Sequence, residues 1–220
     1  MILKADPNSC FVFDLDDTLY HEIDFLKSAY HSIVAEISSD PNDILYDELL
    51  NIYLSGSNPF RFLIEKFPEK NLTVEKLVYL YRNHYPVISL REGALEMLKE
   101  IKKKNGKTGI ITDGRGITQR NKIQALDLGS LIDRLVISEE FGSEKPASVL
   151  YESFMDKDGE RQYYYFGDNI SKDFISPKKL GWCCIGVLDG TSIHYKKLNE
   201  YSTDFLPHIF VNKFTEIEII

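Results

Sequence analysis

Cysteine is scarce in this 220-residue sequence: there are three, Cys10, Cys183 and Cys184. An odd number with two adjacent members is no disulfide framework, so the fold has to rest on a packed core, and a reducing, cytoplasmic setting is expected. Basic charge is short as well. Lys and Arg number 26 against 34 Asp and Glu, a net charge of −8, which argues against a nucleic acid polymer as main partner, since phosphate backbones call for a basic face. One small phosphate ester is not excluded, because a few local cations suffice for it. No apolar run approaches the roughly 20 residues that span a bilayer. Asp6, Pro7 and Asn8 interrupt the apolar core a secretory leader needs. Internal repeats and low-complexity tracts are also missing. What is left, 43% hydrophobic and 27% charged, is ordinary globular composition. The length suits one sizeable domain, or a core with a smaller insertion.

The most informative stretch is Phe11 to Tyr20, FVFDLDDTLY. The apolar run Phe11-Val12-Phe13 reads as a buried strand. It ends in three carboxylates within four residues, Asp14, Asp16 and Asp17. Ligands of open α/β sheets sit beyond the carboxyl ends of such strands. Carboxylates gathered there repel one another and raise each other's pKa values. A divalent cation relieves the repulsion, and oxygen-only ligands suit Mg²⁺. The competing reading, an acidic turn after a strand, rests on ordinary turn chemistry.

After Tyr20 the pattern becomes helical. Residues 21–38 carry Ile23, Leu26, Tyr30, Ile33, Val34 and Ile37 at three- and four-residue spacings. Asp40-Pro41-Asn42 reads as a turn, residues 43–54 as a second helix and 60–67 as a third. Thr73 reads as the N-cap of a fourth, ending near Tyr85. The segment 20–87 is thus expected to be all helical. From Val87 strands and helices alternate. Strands are expected at 108–112, 135–138, 162–166, 183–188 and 209–211. Helices are expected between them at 93–104, 117–128, 147–155 and 171–180, with a turn through 156–159. That alternation implies crossover connections and a parallel sheet. The predicted architecture is a doubly wound α/β core, residues 1–19 and 88–220, interrupted after its first strand by a helical insert at 20–87.

Four predicted strand ends carry polar groups suited to one task. They are Asp14-Leu15-Asp16, Thr112-Asp113-Gly114, Lys145-Pro146, and Gly167-Asp168-Asn169 with Asp173 beyond it. Backbone amides leading into a helix, as after Thr112, bind phosphate. Each group alone is explained by turn chemistry or solvation; all four in this order at parallel strand ends are specific.

In this pattern the chain resembles the haloacid dehalogenase-like (HAD) superfamily over nearly its whole length. DLDDTLY resembles the first motif, Thr112 in IITDG the second, Lys145 in SEKP the third and GDNISKD the fourth. The helical segment resembles the cap of the subfamily with a helical C1 insert. The resemblance implies that Asp14 attacks phosphorus and forms an aspartyl-phosphate. It implies that Asp16 protonates the leaving oxygen and then activates water, and that Thr112, with Asp113 and Gly114, holds the phosphate. Lys145 would neutralise charge, and Asp168 would bind Mg²⁺ with Asp14 and the backbone carbonyl of Asp16. Asp173 would support the metal or orient Lys145, with Asn169 beside it. Asp16 argues for phosphoryl chemistry and against dehalogenation, since a leaving halide needs no proton. No role is assigned to Asp17.

The segment TDGRGITQRNKIQALDL…ISEEFGSEKP is most similar to the branch of pyrimidine 5′-nucleotidases and acylneuraminate-9-phosphate phosphatases. The expected activity is hydrolysis of a small phosphomonoester, a sugar phosphate or nucleotide. A phosphosugar mutase and a non-catalytic binding protein on the same scaffold are the other readings. The expected partner is a small phosphorylated metabolite, with no nucleic acid and no membrane, and the protein is expected as a monomer or a dimer. In the helical segment the aromatics read mainly as core. Arg61, Lys66, Arg82 and His84 read as surface groups within reach of a polar substrate. His21 and Arg115 read as cleft candidates, while His31, His194 and His208 lack metal-ligand spacing.

Overall fold

The structure, a computed structural model, describes residues 1–38, 44–156, 161–189 and 195–220. The turns expected at Asp40-Pro41-Asn42 and at 157–159, and His194, lie outside them. Strand β1 (Ile2–Leu3) precedes β2 (Ser9–Phe13), which leads into helices α1 (Glu22–Ile37), α2 (Ile44–Leu54), α3 (Pro59–Lys66) and α4 (Val74–Asn83). Then follow α5 (Ala94–Lys103), β3 (Lys107–Thr112), α6 (Gly116–Ala125), β4 (Arg134–Ile137) and the short helices α7 (Ser138–Phe141) and α8 (Ser148–Glu152). Strand β5 (Gln162–Gly167), α9 (Ile175–Lys179), β6 (Cys183–Val187), β7 (Ile209–Val211) and β8 (Glu218–Ile219) complete the described chain.

Six strands form one parallel sheet in the order β4-β3-β2-β5-β6-β7. The doubly wound α/β fold expected from the alternation is therefore present. Strand β2 is central, with β3 on one side and β5 on the other. Strand order reverses there, and in open α/β sheets the crevice at such a switch point takes the ligand.

Side-chain alternation explains how β2 is buried on both faces. Phe11 and Phe13 join Met97, Leu98, Ile110, Tyr164 and Phe166 in one core layer. Cys10 and Val12 join Ile111, Tyr163, Tyr165 and Trp182 in the other. The register pairs Phe11 with Tyr164 and Phe13 with Phe166. Their rings stack with centroids 4.5 and 4.7 Å apart, pairs of a kind that contribute about 0.5–1.5 kcal/mol each beyond burial. The three cysteines are free. Among the described residues no helix is long and apolar enough to cross a membrane.

Helices α1 to α4 pack about a cluster of their own: Leu26, Tyr30, Ile33, Leu49, Leu63 and Leu77, among others. Their starts follow from capping. Asn58 accepts the N–H groups of Phe60 and Arg61 at the head of α3, and Thr73 accepts that of Lys76 at the head of α4.

Four expectations need correction. The segment 171–180 is helical only over Ile175–Lys179, because Asn169 and Asp173 draw nearby N–H groups into a side-chain-supported turn. The helix expected over 147–155 is limited to Ser148–Glu152. The strand expected to reach Ser138 stops at Ile137, and Ser138 opens a helical turn ended by Gly142 at φ 79°. Val211 does not end the last strand: β8 pairs with β1 in a separate two-stranded sheet, and two-residue strands leave no periodicity to read.

Gly109 on β3 marks a close approach. A Cβ there would stand 2.1 Å from Cε1 of Phe154. Gly109→Ala is expected to destabilise the fold by about 1–3 kcal/mol through overpacking. Urea denaturation would measure it, and an unchanged midpoint would contradict this packing.

Candidate active site

Asp14 is the first residue beyond β2, and its N–H still donates to the Phe166 carbonyl, 2.8 Å away. The ladder thus fixes the backbone at the point where the carboxylates begin. Leu15 and Leu19 are fully buried and pin the loop between them. Asp17 takes a left-handed conformation, φ 53°. Its Oδ1 accepts the Glu22 N–H at the head of α1, and its carbonyl accepts Nη1 of Arg91 at 2.7 Å. Asp17 therefore shapes the turn that presents Asp16, a task the sequence did not reveal.

Three buried carboxylates, Asp14, Asp168 and Asp173, each bring an oxygen within 4.8 Å of the others. One ammonium stands among them: Lys145 Nζ lies 2.8 Å from Asp14 Oδ1 and 2.7 Å from Asp173 Oδ1. Lys145 is only 5% exposed. Its N–H donates to Asp113 Oδ1 at 3.0 Å, and Lys172 pairs with the other Asp113 oxygen at 3.1 Å. Asp113 thus turns its carboxylate toward the Lys145 loop. Thr18 Oγ1 donates to Asp168 Oδ1 at 3.4 Å.

The charge balance of this group is unfavourable as it stands. Burial pushes the Asp14 carboxyl up to about 8, opposed by Lys145 and reinforced by Asp173. Asp168 is pushed well above the carboxylate range, first by burial and then by Asp173 and Asp14. Burial works against the Lys145 charge, but Asp14 and Asp173 more than offset it and raise it well above its usual value. Among the described residues the group brings together three carboxylates and the Lys145 ammonium, a set that a divalent cation would balance, and hard oxygen donors fit Mg²⁺. Asp14 and Asp168 are the residues best able to hold it. Both oxygens of Asp173 already serve other donors: Lys145 and the Tyr165 hydroxyl on one, the N–H groups of Asp168 and Asn169 on the other.

Asp16 occupies a different environment. Its Oδ1 accepts Lys122 Nζ at 2.6 Å and the Tyr20 hydroxyl. Its Oδ2 accepts Gln119 Nε2 at 2.8 Å. Burial opposes its charge, but Lys122, Tyr20 and Gln119 outweigh that and hold the carboxyl below its usual range. Two neighbouring carboxylates on one loop are therefore pushed in opposite directions, because Asp14 is buried among other carboxylates and Asp16 among donors. Gln119 Nε2 also lies 2.5 Å from Thr112 Oγ1, which joins the end of β3 to the loop after β2. The Gly114 N–H donates to Ser138 Oγ at 3.0 Å.

The residues named from the strand ends are thus linked through contacts at the carboxyl ends of the strands: Asp14, Asp168 and Asp173 with Lys145, Asp113 with Lys145, and Thr112 with Asp16 through Gln119. Lys122, Gln119 and Tyr20 were missed. A signal for Gln119 and Lys122 existed: they lie one turn apart on α6, in line with Leu126 at its C-cap, and are polar where a core-facing stripe should be apolar. Of the groups weighed in the helical segment, Arg61 pairs with Glu65 and Lys66 with Glu48. His84 is buried, not surface-exposed, with Nδ1 on the Tyr81 carbonyl. Arg115 pairs with Glu139 beside a cleft of about 490 Å³ that Arg82 and Gly114 also line. His31 stacks on Tyr46.

Comparison with known proteins shows the family. The family model described as haloacid dehalogenase-like hydrolase matches residues 11–187. Glyceraldehyde 3-phosphate phosphatase of Methanocaldococcus jannaschii is 30% identical over 209 residues, covering 87% of this chain and 89% of its own. The enzyme of the same name from Pyrococcus furiosus is 26% identical over 90% of this chain and 89% of its own. Among solved structures, the HAD-hydrolase YfnB from Bacillus subtilis, bound to magnesium, superposes with a TM-score of 0.65. That match covers 94% of this chain and 96% of the other at 14% identity, a likeness of fold.

Proposed function

The chain belongs to the haloacid dehalogenase-like hydrolases, and from that premise we propose that it is a Mg²⁺-dependent phosphatase of a small sugar phosphate. The observation that carries the reading is the contact of Lys145 Nζ with Asp14, 2.8 Å, inside a buried carboxylate group. A buried carboxylate with a cation at its side is a competent nucleophile for covalent phosphoryl transfer.

Asp14 attacks phosphorus, the P–O bond to the leaving group breaks, and an aspartyl-phosphate forms. Asp16 gives a proton to the departing oxygen. In the free site Lys122, Tyr20 and Gln119 hold the Asp16 carboxyl below its usual range; the phosphate of the incoming ester is a further anion that raises its proton affinity, and Asp16 takes up a proton from solvent as that ester binds. Asp16 then takes a proton from water as that water attacks phosphorus, which frees inorganic phosphate and restores Asp14. Lys145 and Thr112 hold phosphoryl oxygens, and Asp113 and Gly114 shape the loop around them. Asp14, Asp168 and the backbone carbonyl of Asp16 would hold Mg²⁺, which supplies charge neutralisation at the transferring group. Asp173, supported by the Asn169 N–H, orients Lys145. Residues 20–87 act as the cap that covers the crevice, residues 1–19 and 88–220 as the catalytic core.

The substrate class follows the curated relatives, phosphatases of glyceraldehyde 3-phosphate. Their names point to a three-carbon sugar phosphate where the residues 112–146 pointed to nucleotides and acylneuraminate phosphates. The test is phosphate release from glyceraldehyde 3-phosphate, other sugar phosphates and nucleoside monophosphates, with Mg²⁺ and with EDTA. Release from sugar phosphates that EDTA abolishes is the expected result. Release that survives EDTA would remove the metal from the reading, and no release from any ester would remove the phosphatase.

A further inference from the structure

Lys122 sits near the end of α6 with 4% of its surface exposed. A lysine so buried needs partners for its charge. Its Nζ donates to Asp16 Oδ1 at 2.6 Å and stands 4.4 Å from the ring centroid of Phe25 on α1 and 5.8 Å from that of Tyr20. One turn earlier, Gln119 holds the other Asp16 oxygen. The same helix carries the seam to α4: Thr118 Oγ1 donates to the Arg82 carbonyl at 3.0 Å and Asn121 Nδ2 to that of His84 at 3.2 Å. Helix α6 thus grips Asp16 with one face and the helical segment with its neighbours, and Lys122 touches both sides of that seam.

We propose that Lys122 is a positioning residue: it fixes the Asp16 carboxyl for proton transfer and couples that position to the seating of the helical segment through Phe25. The proposal rests on the reading of Asp16 as acid and base. Tyr20 and Gln119 restrict the rotation of the carboxyl; the ammonium adds a charge that keeps it in place when a phosphate anion arrives. Without Lys122 the carboxyl has one oxygen held only by Tyr20 and turns away from the departing oxygen. Proton delivery suffers while the attack of Asp14 does not.

That asymmetry gives a readout a merely structural lysine would not move. An alkyl leaving group needs a proton as it departs, whereas p-nitrophenolate does not, and kcat/KM reports steps through leaving-group departure. Wild type, K122M, K122R and D16N are compared on the best sugar phosphate of the panel and on p-nitrophenyl phosphate, with Mg²⁺. K122M is expected to lower kcat/KM for the sugar phosphate about 10²-fold, the scale of a 1 Å misplacement, and to leave the aryl ester within about threefold. K122R, which keeps the charge, is expected to lie between K122M and wild type on the sugar phosphate. Activity on the aryl ester also reports that each variant is folded. Equal losses on both esters, or none on either, would overturn the proposal. D16N tests the premise separately: selective loss there with uniform loss in K122M sinks the role of Lys122 alone, and uniform loss in D16N sinks the reading of Asp16 as the acid.

Discussion

Asp14→Asn is expected to lower phosphate release on the order of 10⁴–10⁶-fold, the scale seen when a covalent nucleophile is removed, while the protein stays folded. Asn fills the same volume but has no anionic oxygen for phosphorus. The stability expectation is less intuitive. Asp14 shares the Lys145 ammonium with Asp173 and lies beside Asp168, and burial drives its carboxyl up to about 8. A carboxyl with a raised folded pKa binds more protons folded than unfolded, so stability falls as pH rises from the ordinary carboxylate range through that value. In EDTA at neutral pH, D14N is therefore expected to melt at or above the wild-type temperature, with a shallower decline toward alkaline pH. Mg²⁺ is expected to raise the melting temperature of wild type more than that of D14N. Full activity in D14N, with contaminating phosphatase excluded, would sink the nucleophile assignment; a D14N protein that does not fold would sink the charge argument.

The acidic residues were legible in the sequence because each sits where a hydrophobic strand stops. Phe13, Thr112 and Phe166 close or nearly close runs that are buried on both faces of the sheet, so Asp14, Asp113 and Asp168 could be placed at carboxyl ends without knowing the strand order. The order itself was not written locally: that β3 and β5 flank β2 depends on crossovers that no window of residues contains. Tyr20 and Lys122 failed for a related reason. They lie in helical or loop sequence, where a buried phenol or ammonium looks like any amphipathic side chain. Only the tertiary meeting of α6 with the loop after β2 gives them Asp16 as a partner. Arg91 is a further case. Its Nη2 reaches Asp189 and its Nη1 the Asp17 carbonyl, contacts across 98 and 74 positions of sequence. The short helix α9 was overestimated because side-chain hydrogen bonds at Asn169 and Asp173 compete with helical ones, and periodicity is blind to that competition.

Asp173 makes the opposite case to Asp14. Both are buried carboxylates touching the same ammonium, yet Asp173→Asn is expected to cost about 3–5 kcal/mol of stability, the range for breaking a buried pair from one side. The reason is the number and kind of its partners. Oδ1 accepts Lys145 Nζ and the Tyr165 hydroxyl, and Oδ2 accepts two backbone N–H groups, at 3.1 and 2.8 Å. Every partner is a donor, so the amide of Asn must turn its own N–H groups toward donors on one side or the other. The backbone cannot retreat: a Cβ on Gly167 would already lie 2.5 Å from Asp173 Oδ2. The expected loss corresponds to a fall of roughly 6–20 °C in melting temperature for a chain of this size. Activity should fall with it even below the melting range, because Lys145 and the Asp168 backbone lose their common anchor. Thermal melts of D14N and D173N side by side decide the matter: the first is expected stable and inactive, the second unstable and impaired. A D173N protein that melts with wild type and keeps its turnover would show that Asp173 anchors neither.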